Sequence, residues 1–112
     1  MIKLLCMDMD GTLLNSKGEV SSRNLEAIKK AHEKNVKITI CTGRLFTSAR
    51  YYAELIGVKI PIIASNGAYI REKDRDEVIY KAALGKENCR KILDILQKYE
   101  FSILLTLFLQ RK

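Results

Sequence analysis

The chain's residue pattern predicts an α/β fold built on a parallel sheet, and two observations carry that prediction. Short apolar runs alternate with amphipathic stretches of helical period, and each of the first three apolar runs ends on a polar cluster. Strands alternating with helices at this spacing form βαβ units. Their right-handed crossovers are expected to cover both faces of the sheet.

The elements follow in order. Residues 2–7 are mostly apolar and read as a strand, and residues 11–22 hold Gly, Asn and Ser and read as a loop. A helix is expected over 23–35, capped by Ser21 or Ser22, with Leu25, Ile28 and Ala31 on its apolar face. Residues 36–41 form the second strand. Residues 47–56 form the second helix, with Ala49, Tyr52, Ala53 and Ile56 at i, i+3, i+4, i+7 and Gly57 as its stop. Residues 60–65 form the third strand.

Beyond Gly67 the pattern changes. Residues 68–71 and 77–81 alternate around a polar turn and predict a β-hairpin. A helix over 87–99 carries Cys89, Ile92, Leu93 and Leu96 as its stripe, and the apolar run 101–109 reads as a strand. A soft boundary falls near residues 67–72, dividing the chain into a core segment, 1–70, and a second segment, 71–112.

The composition is that of a globular protein: 112 residues, 47% hydrophobic and 29% charged. The net charge of +7 is spread along helical stretches, without a compact basic cluster interleaved with aromatics. A solvated face is therefore favoured over nucleic acid, and no membrane partner is expected. Cys6, Cys41 and Cys89 are odd in number and lack metal-ligand spacing. Cys6 and Cys41 are expected to be buried as small hydrophobes in a reducing, cytoplasmic protein. His32 reads as a boundary residue, and Tyr51 and Tyr52 as packing.

The chemistry is concentrated where the three strands end: Asp8-Met9-Asp10, Thr42-Gly43-Arg44 and Ser65-Asn66-Gly67. Ligands in open α/β sheets bind outside the carboxyl ends of the strands, so the three clusters are expected to meet on one edge. Asp8 can attack phosphorus, and Asp10 can protonate a leaving oxygen and later accept a proton from water. Repulsion between the two carboxylates is expected to keep one protonated near neutral pH. A Mg²⁺ ion would offset the charge of Asp8 and a phosphate. The Thr42 hydroxyl and Gly43 amide are suited to donate to phosphoryl oxygens.

The run Asp8-Met9-Asp10-Gly11-Thr12-Leu13-Leu14 resembles the first motif of the haloacid dehalogenase (HAD) superfamily of phosphatases. Residues 38–44 are similar to the second motif of its Cof-type branch, and Ser65-Asn66-Gly67-Ala68 to a further stretch of that branch. The resemblance implies a HAD-like, Rossmann-type three-layer core, incomplete here, with the start of an α/β cap. It implies Asp8 as nucleophile, Asp10 as acid/base, and Mg²⁺ held by the Asp8 carboxylate and the Asp10 carbonyl. Thr42, Gly43, Arg44 and Asn66 would face phosphate or substrate. The implied activity is a phosphatase acting on a small phosphorylated metabolite through an aspartyl-phosphate. A phosphomutase and an inert self-associating fragment are the alternatives.

The family's third motif supplies a lysine and its fourth supplies acidic metal ligands. Neither is recognisable after residue 68; Lys73, Lys81, Lys86 and the acidic stretch 74–77 fall in the cap-like segment. The expectation is therefore a truncated product with an exposed apolar edge at the first strand. That edge would lead to self-association, or be covered by residues 103–109.

Overall fold

The computed structural model describes residues 2–99. Residues Met1–Ala82 belong to one compact unit and Ala83–Lys112 to a second. The first unit runs β1 (Leu4–Met7), α1 (Ser22–Glu33), β2 (Lys37–Ile40), α2 (Phe46–Leu55), β3 (Ile62–Ala64), a single 3₁₀ turn (Ser65–Gly67), β4 (Tyr69–Arg71) and β5 (Val78–Lys81). The elements are those the sequence predicts, with ends shifted by one or two residues.

β1 and β2 pair in parallel, with Leu5 opposite Ile38 and Met7 opposite Ile40. A parallel bridge between Cys41 and Ile63 carries the sheet on to β3. There the Thr42 amide donates to the Ile63 carbonyl at 3.0 Å. β3, β4 and β5 continue as an antiparallel meander, so the hairpin shares a sheet with the third strand. The Ala82 amide donates to the Ala68 carbonyl at 2.8 Å and ties the hairpin at its base.

α1 starts where Ser21 accepts from the Asn24 amide at 3.2 Å, satisfying one of the helix's unpaired N-terminal donors. Its inner face delivers Ile28, which is buried, and Leu25 and Ala31, which are half-buried. α2 contributes Phe46, Ala49 and Ala53 to the core. Small residues at 49 and 53 let this helix approach the sheet closely. Met9, Ile38, Ile40, Val58 and Ile62 are the largest fully buried side chains. His32 donates from Nε2 to the Ile56 carbonyl at 3.2 Å, which sets the carboxyl end of α1 beside that of α2.

Two expectations are corrected. Both crossover helices lie on one face of the sheet rather than one on each. Leu5 and Met7 line a cavity of about 250 Å³ with Ala27, Ile28 and Ala31 of α1, and Leu25, Ile28 and His32 line another with Leu55, Ile56 and Gly57. The reason is topological: the strands advance β1, β2, β3 in one direction, and two right-handed crossovers with the same sense fall on the same side. Cys6 and Cys41, expected to be buried, are exposed. The register sets Cys6 opposite Thr39, and Cys41 lies two residues further along the same strand. Both therefore sit on the sheet face turned away from α1 and α2.

β1 has β2 on one side and, among the described residues, no strand on the other. Ile2, Leu4 and Leu5 are 75%, 51% and 39% exposed. In the hairpin turn the acidic residues are matched by neighbouring cations: Asp76 by Arg71, Asp74 by Lys73, and Glu72 and Glu77 by Arg75. Arg71 also lies over the Phe46 ring at 5.0 Å.

In the second unit, α3 spans Gly85–Gln97. Asn88 donates from its side chain to the Leu84 carbonyl, and Glu87 pairs with Lys91 one turn on. Cys89, Leu93 and Leu96 of the expected stripe are half-buried, and Ile92 is exposed. The strand expected over 101–109 lies outside the described residues.

Candidate active site

β1 ends at Met7, and the next three residues alternate: Asp8 is exposed, Met9 is fully buried, and Asp10 is exposed. Burial of Met9 fixes the outward direction of both carboxylates. The turn that follows is held by its own backbone, with Thr12 and Leu14 amides donating to the Met9 carbonyl and the Leu13 amide to the Asp8 carbonyl. Thr12 donates from Oγ1 to Asp8 Oδ2 at 3.1 Å, restricting the Asp8 side chain and leaving Oδ1 as its other acceptor. Further along the loop, Asn15 Oδ1 accepts from the Lys17 and Glu19 amides at 2.9 and 3.0 Å. This is the local turn-forming habit of an Asn side chain.

The second cluster follows β2. Thr42 is 4% exposed, and its Oγ1 accepts from the Arg44 amide at 3.1 Å. A hydroxyl can accept and donate at once. Among the described residues no group accepts the Thr42 hydrogen, so it is available to a ligand oxygen. The third cluster follows β3, where the Ser65 amide donates to the Arg44 carbonyl and the Asn66 amide to the Thr42 carbonyl, at 2.9 and 3.0 Å. Ser65, Asn66 and Gly67 all have positive φ, at 51°, 54° and 87°. Asn and Gly tolerate this region better than other residues. Three successive left-handed residues turn the chain sharply from the parallel sheet into β4.

Gly43 is required by proximity rather than by backbone angle. A Cβ built there would come within 2.8 Å of Asn66 Oδ1. Any larger residue at 43 would displace the Asn66 amide from the edge of the site.

Arg44 joins the second cluster to the first. Its Nε and Nη2 donate to Asp10 Oδ2 and Oδ1 at 2.8 and 2.6 Å, a two-pronged pair. Its Nη1 donates to Ser48 Oγ at 3.3 Å, and its guanidinium lies 5.4 Å from the centre of the Tyr52 ring. The hydrogen bonds from Arg44 hold the Asp10 carboxyl below its ordinary pKa of 3.8. The same contact raises the Arg44 guanidinium above its ordinary value, with a smaller contribution from Tyr52. The expectation that repulsion leaves one carboxylate protonated near neutral pH is therefore not met at Asp10. A guanidinium at hydrogen-bonding distance outweighs a second carboxylate two residues away.

The structure thus brings Asp8, Asp10, Thr42, Gly43, Arg44 and Asn66 to one edge of the sheet. Asp10 meets Arg44 directly, and Thr42 and Gly43 meet Asn66. Sequence reasoning missed Thr12 as the partner of Asp8, and Ser48 and Tyr52 as partners of Arg44. A signal for the latter was present: residues 44, 48 and 52 are spaced by four and share one side of α2 and the turn leading into it. Asp8 and Asp10 are both exposed residues. The Asp8 carboxylate and Asp10 main-chain carbonyl are hard oxygen donors of the kind that suit the oxygen-rich and water-rich coordination Mg²⁺ prefers. Among the described residues there is no cluster of three or more His, Cys, Asp or Glu side chains that could hold a metal alone. No described helix is long and apolar enough to cross a membrane.

The profile of haloacid dehalogenase-like hydrolases matches residues 5–110. The chain is 38% identical over 95 residues to the 5-amino-6-(5-phospho-D-ribitylamino)uracil phosphatase YwtE of Bacillus subtilis, covering 85% of this chain and 32% of that protein. A HAD phosphatase from Bacteroides thetaiotaomicron superimposes with a TM-score of 0.79 at 35% identity, over 90% of this chain and 37% of the other. A sugar phosphatase of HAD subclass IIB superimposes with a TM-score of 0.70 at 31% identity, over 87% of this chain and 38% of the other. The chain spans about a third of the length of the curated relatives it matches. The match of that profile across nearly the whole chain, residues 5–110, establishes that the chain belongs to the haloacid dehalogenase-like hydrolases.

Proposed function

We propose that this site serves a phosphatase acting on a small phosphorylated metabolite, such as a sugar phosphate, through an aspartyl-phosphate. The observation that carries the reading is the meeting of the clusters: Asp10 with Arg44, and Thr42 and Gly43 with Asn66. Asp8, held at Oδ2 by Thr12, would attack phosphorus with its other oxygen. The P–O bond to the leaving alkoxide would break as that oxygen takes a proton from Asp10. Water, losing its proton to Asp10, would then release phosphate from Asp8. The Thr42 hydroxyl, the Gly43 amide and the Asn66 amide would orient the phosphoryl oxygens. Asp10 is ionised and clasped in the state described, and a carboxyl held below its ordinary pKa is a weakened base with no proton to give. Both roles require the Arg44 pair to open when the phosphate, a competing anion, arrives, and the role as acid requires Asp10 to take up a proton from water before the P–O bond breaks.

Mg²⁺ would be held by the Asp8 carboxylate and the Asp10 main-chain carbonyl, and would supply neutralisation of the charge shared by Asp8 and phosphate. The exposed outer edge of β1 supports self-association of the chain.

Hydrolysis of p-nitrophenyl phosphate with Mg²⁺, compared between the wild type and Asp8→Asn, tests the reading. Activity abolished by the substitution supports it. A wild-type chain without activity and without measurable Mg²⁺ binding would overturn it for this chain.

A further inference from the structure

Tyr52 joins two parts of the site that are distant in sequence. Its ring lies under the Arg44 guanidinium at 5.4 Å, and its hydroxyl donates to the Gly18 carbonyl at 3.0 Å. Gly18 belongs to the loop that begins at Asp10 and is organised by Asn15. The Tyr52 ring is itself steadied by Tyr51, edge-on at 5.1 Å and 85°.

Arg44 needs such support. Its pair with Asp10 is open to water, with side chains 31% and 60% exposed. A solvent-facing ion pair alone seldom holds two flexible side chains in one geometry. The remaining restraints on the guanidinium are the hydrogen bond to Ser48 and the face of Tyr52. Tyr52 is half-buried against the core, which a phenylalanine would satisfy equally. The hydroxyl serves the loop through Gly18 and also interacts with the Arg44 guanidinium, neither of which a phenylalanine can do.

We propose that Tyr52 is a positioning residue of this site: its ring seats Arg44, its hydroxyl fixes the loop after Asp10, and the two together set where Arg44 meets Asp10. The inference rests on the phosphatase reading only in treating the strand-end cluster as a site.

The test uses the ¹⁵N-labelled full chain, with the Arg44 Nε–Hε resonance assigned from its loss in Arg44→Lys. In Tyr52→Leu the resonance is expected to lose its ring-current shift, and its hydrogen to exchange with water roughly two- to fivefold faster, the range an exposed cation–π contact supports. In Tyr52→Phe, which keeps the ring but loses the hydroxyl's interaction with Arg44, the Arg44 resonance is expected to shift less than in Tyr52→Leu while amides of residues 17–19 lose protection. An unmoved Arg44 resonance in folded Tyr52→Leu would overturn the proposal. So would a Tyr52→Phe chain in which Arg44 moves as far as in Tyr52→Leu, or in which the loop amides keep their protection. If Tyr52→Leu does not fold, Tyr52→Met replaces it with the same expectation. None of these signals needs turnover. A chain without phosphatase activity therefore leaves the positioning result standing, and an active chain with an unmoved Arg44 overturns it alone.

Discussion

Substituting Gly43 by Ala separates the geometry of the site from the stability of the fold. Gly43 does not lie in the left-handed region, so alanine fits its backbone. Reduced freedom of the unfolded chain should then stabilise the protein by about 0.4–1 kcal/mol. Against this stands the new Cβ, 2.8 Å from Asn66 Oδ1 and 3.5 Å from Cγ and Nδ2. The Asn66 side chain is exposed and can swing aside, at a cost of about 0.5–1.5 kcal/mol for leaving its preferred rotamer. The two effects nearly cancel, and Gly43→Ala alone should change stability by less than about 1 kcal/mol. In an Asn66→Gly background the clash is gone and the left-handed φ of 54° suits the new residue. There Gly43→Ala should be plainly stabilising, with a coupling of about 1 kcal/mol between the two sites. In a unit the size of Met1–Ala82 this amounts to about 4–8 °C in Tm. Urea denaturation of the four members of the cycle, followed by circular dichroism, measures it. Equal stabilisation by Gly43→Ala in both backgrounds would refute the argument that Gly43 is there to admit Asn66.

Three further outcomes are expected. Ser21→Ala removes the acceptor for the Asn24 amide and should cost about 1 kcal/mol in urea denaturation; an unchanged midpoint would mean that the helix start is held otherwise. The carboxyl of Asp10 is held below its ordinary pKa, so its ion pair stabilises the fold at and above pH 5 and is lost as pH falls through the depressed value. The stability gap between wild type and Asp10→Asn should therefore be flat from about pH 5 to 8 and close in stronger acid; a gap that widens on acidification contradicts the Arg44 pairing. Leu4→Lys, at the exposed edge of β1, should raise the monomer fraction in sedimentation velocity, and a wild type that is already monomeric would refute self-association.

The sequence made legible whatever depends on local period and on punctuation. Ser21 or Ser22 marked the start of α1 and Gly57 the stop after α2, whereas the outward direction of Asp8 and Asp10 came only with the burial of Met9. The meeting of the clusters on one edge followed from their place at the carboxyl ends of strands in a parallel sheet. The partner of Arg44 did not, because a long side chain at a strand end can reach several anions, and only the packed turn selects Asp10. The same tertiary choice keeps Asp10 from being the protonated member that repulsion between the two carboxylates would favour. The exposure of Cys6 and Cys41 was hidden for another reason. An apolar strand reads the same whether both of its faces are covered or one, and only the sense of the crossovers decides which.

The hydrogen bond from Ala82 to Ala68 bears on how such a protein diversifies. The chain leaves the third strand end at Ser65–Gly67, makes one antiparallel excursion, and returns to a residue bonded to its own point of departure. A detour closed at its base transmits little of its length or composition to what lies before it. Whatever sequence is grafted after that closure, long or short, the carboxylates, Thr42 and Asn66 are held by bonds made earlier in the chain. Length and composition can change beyond that closure while the placement of Asp8, Asp10, Thr42 and Asn66 at the strand ends is kept.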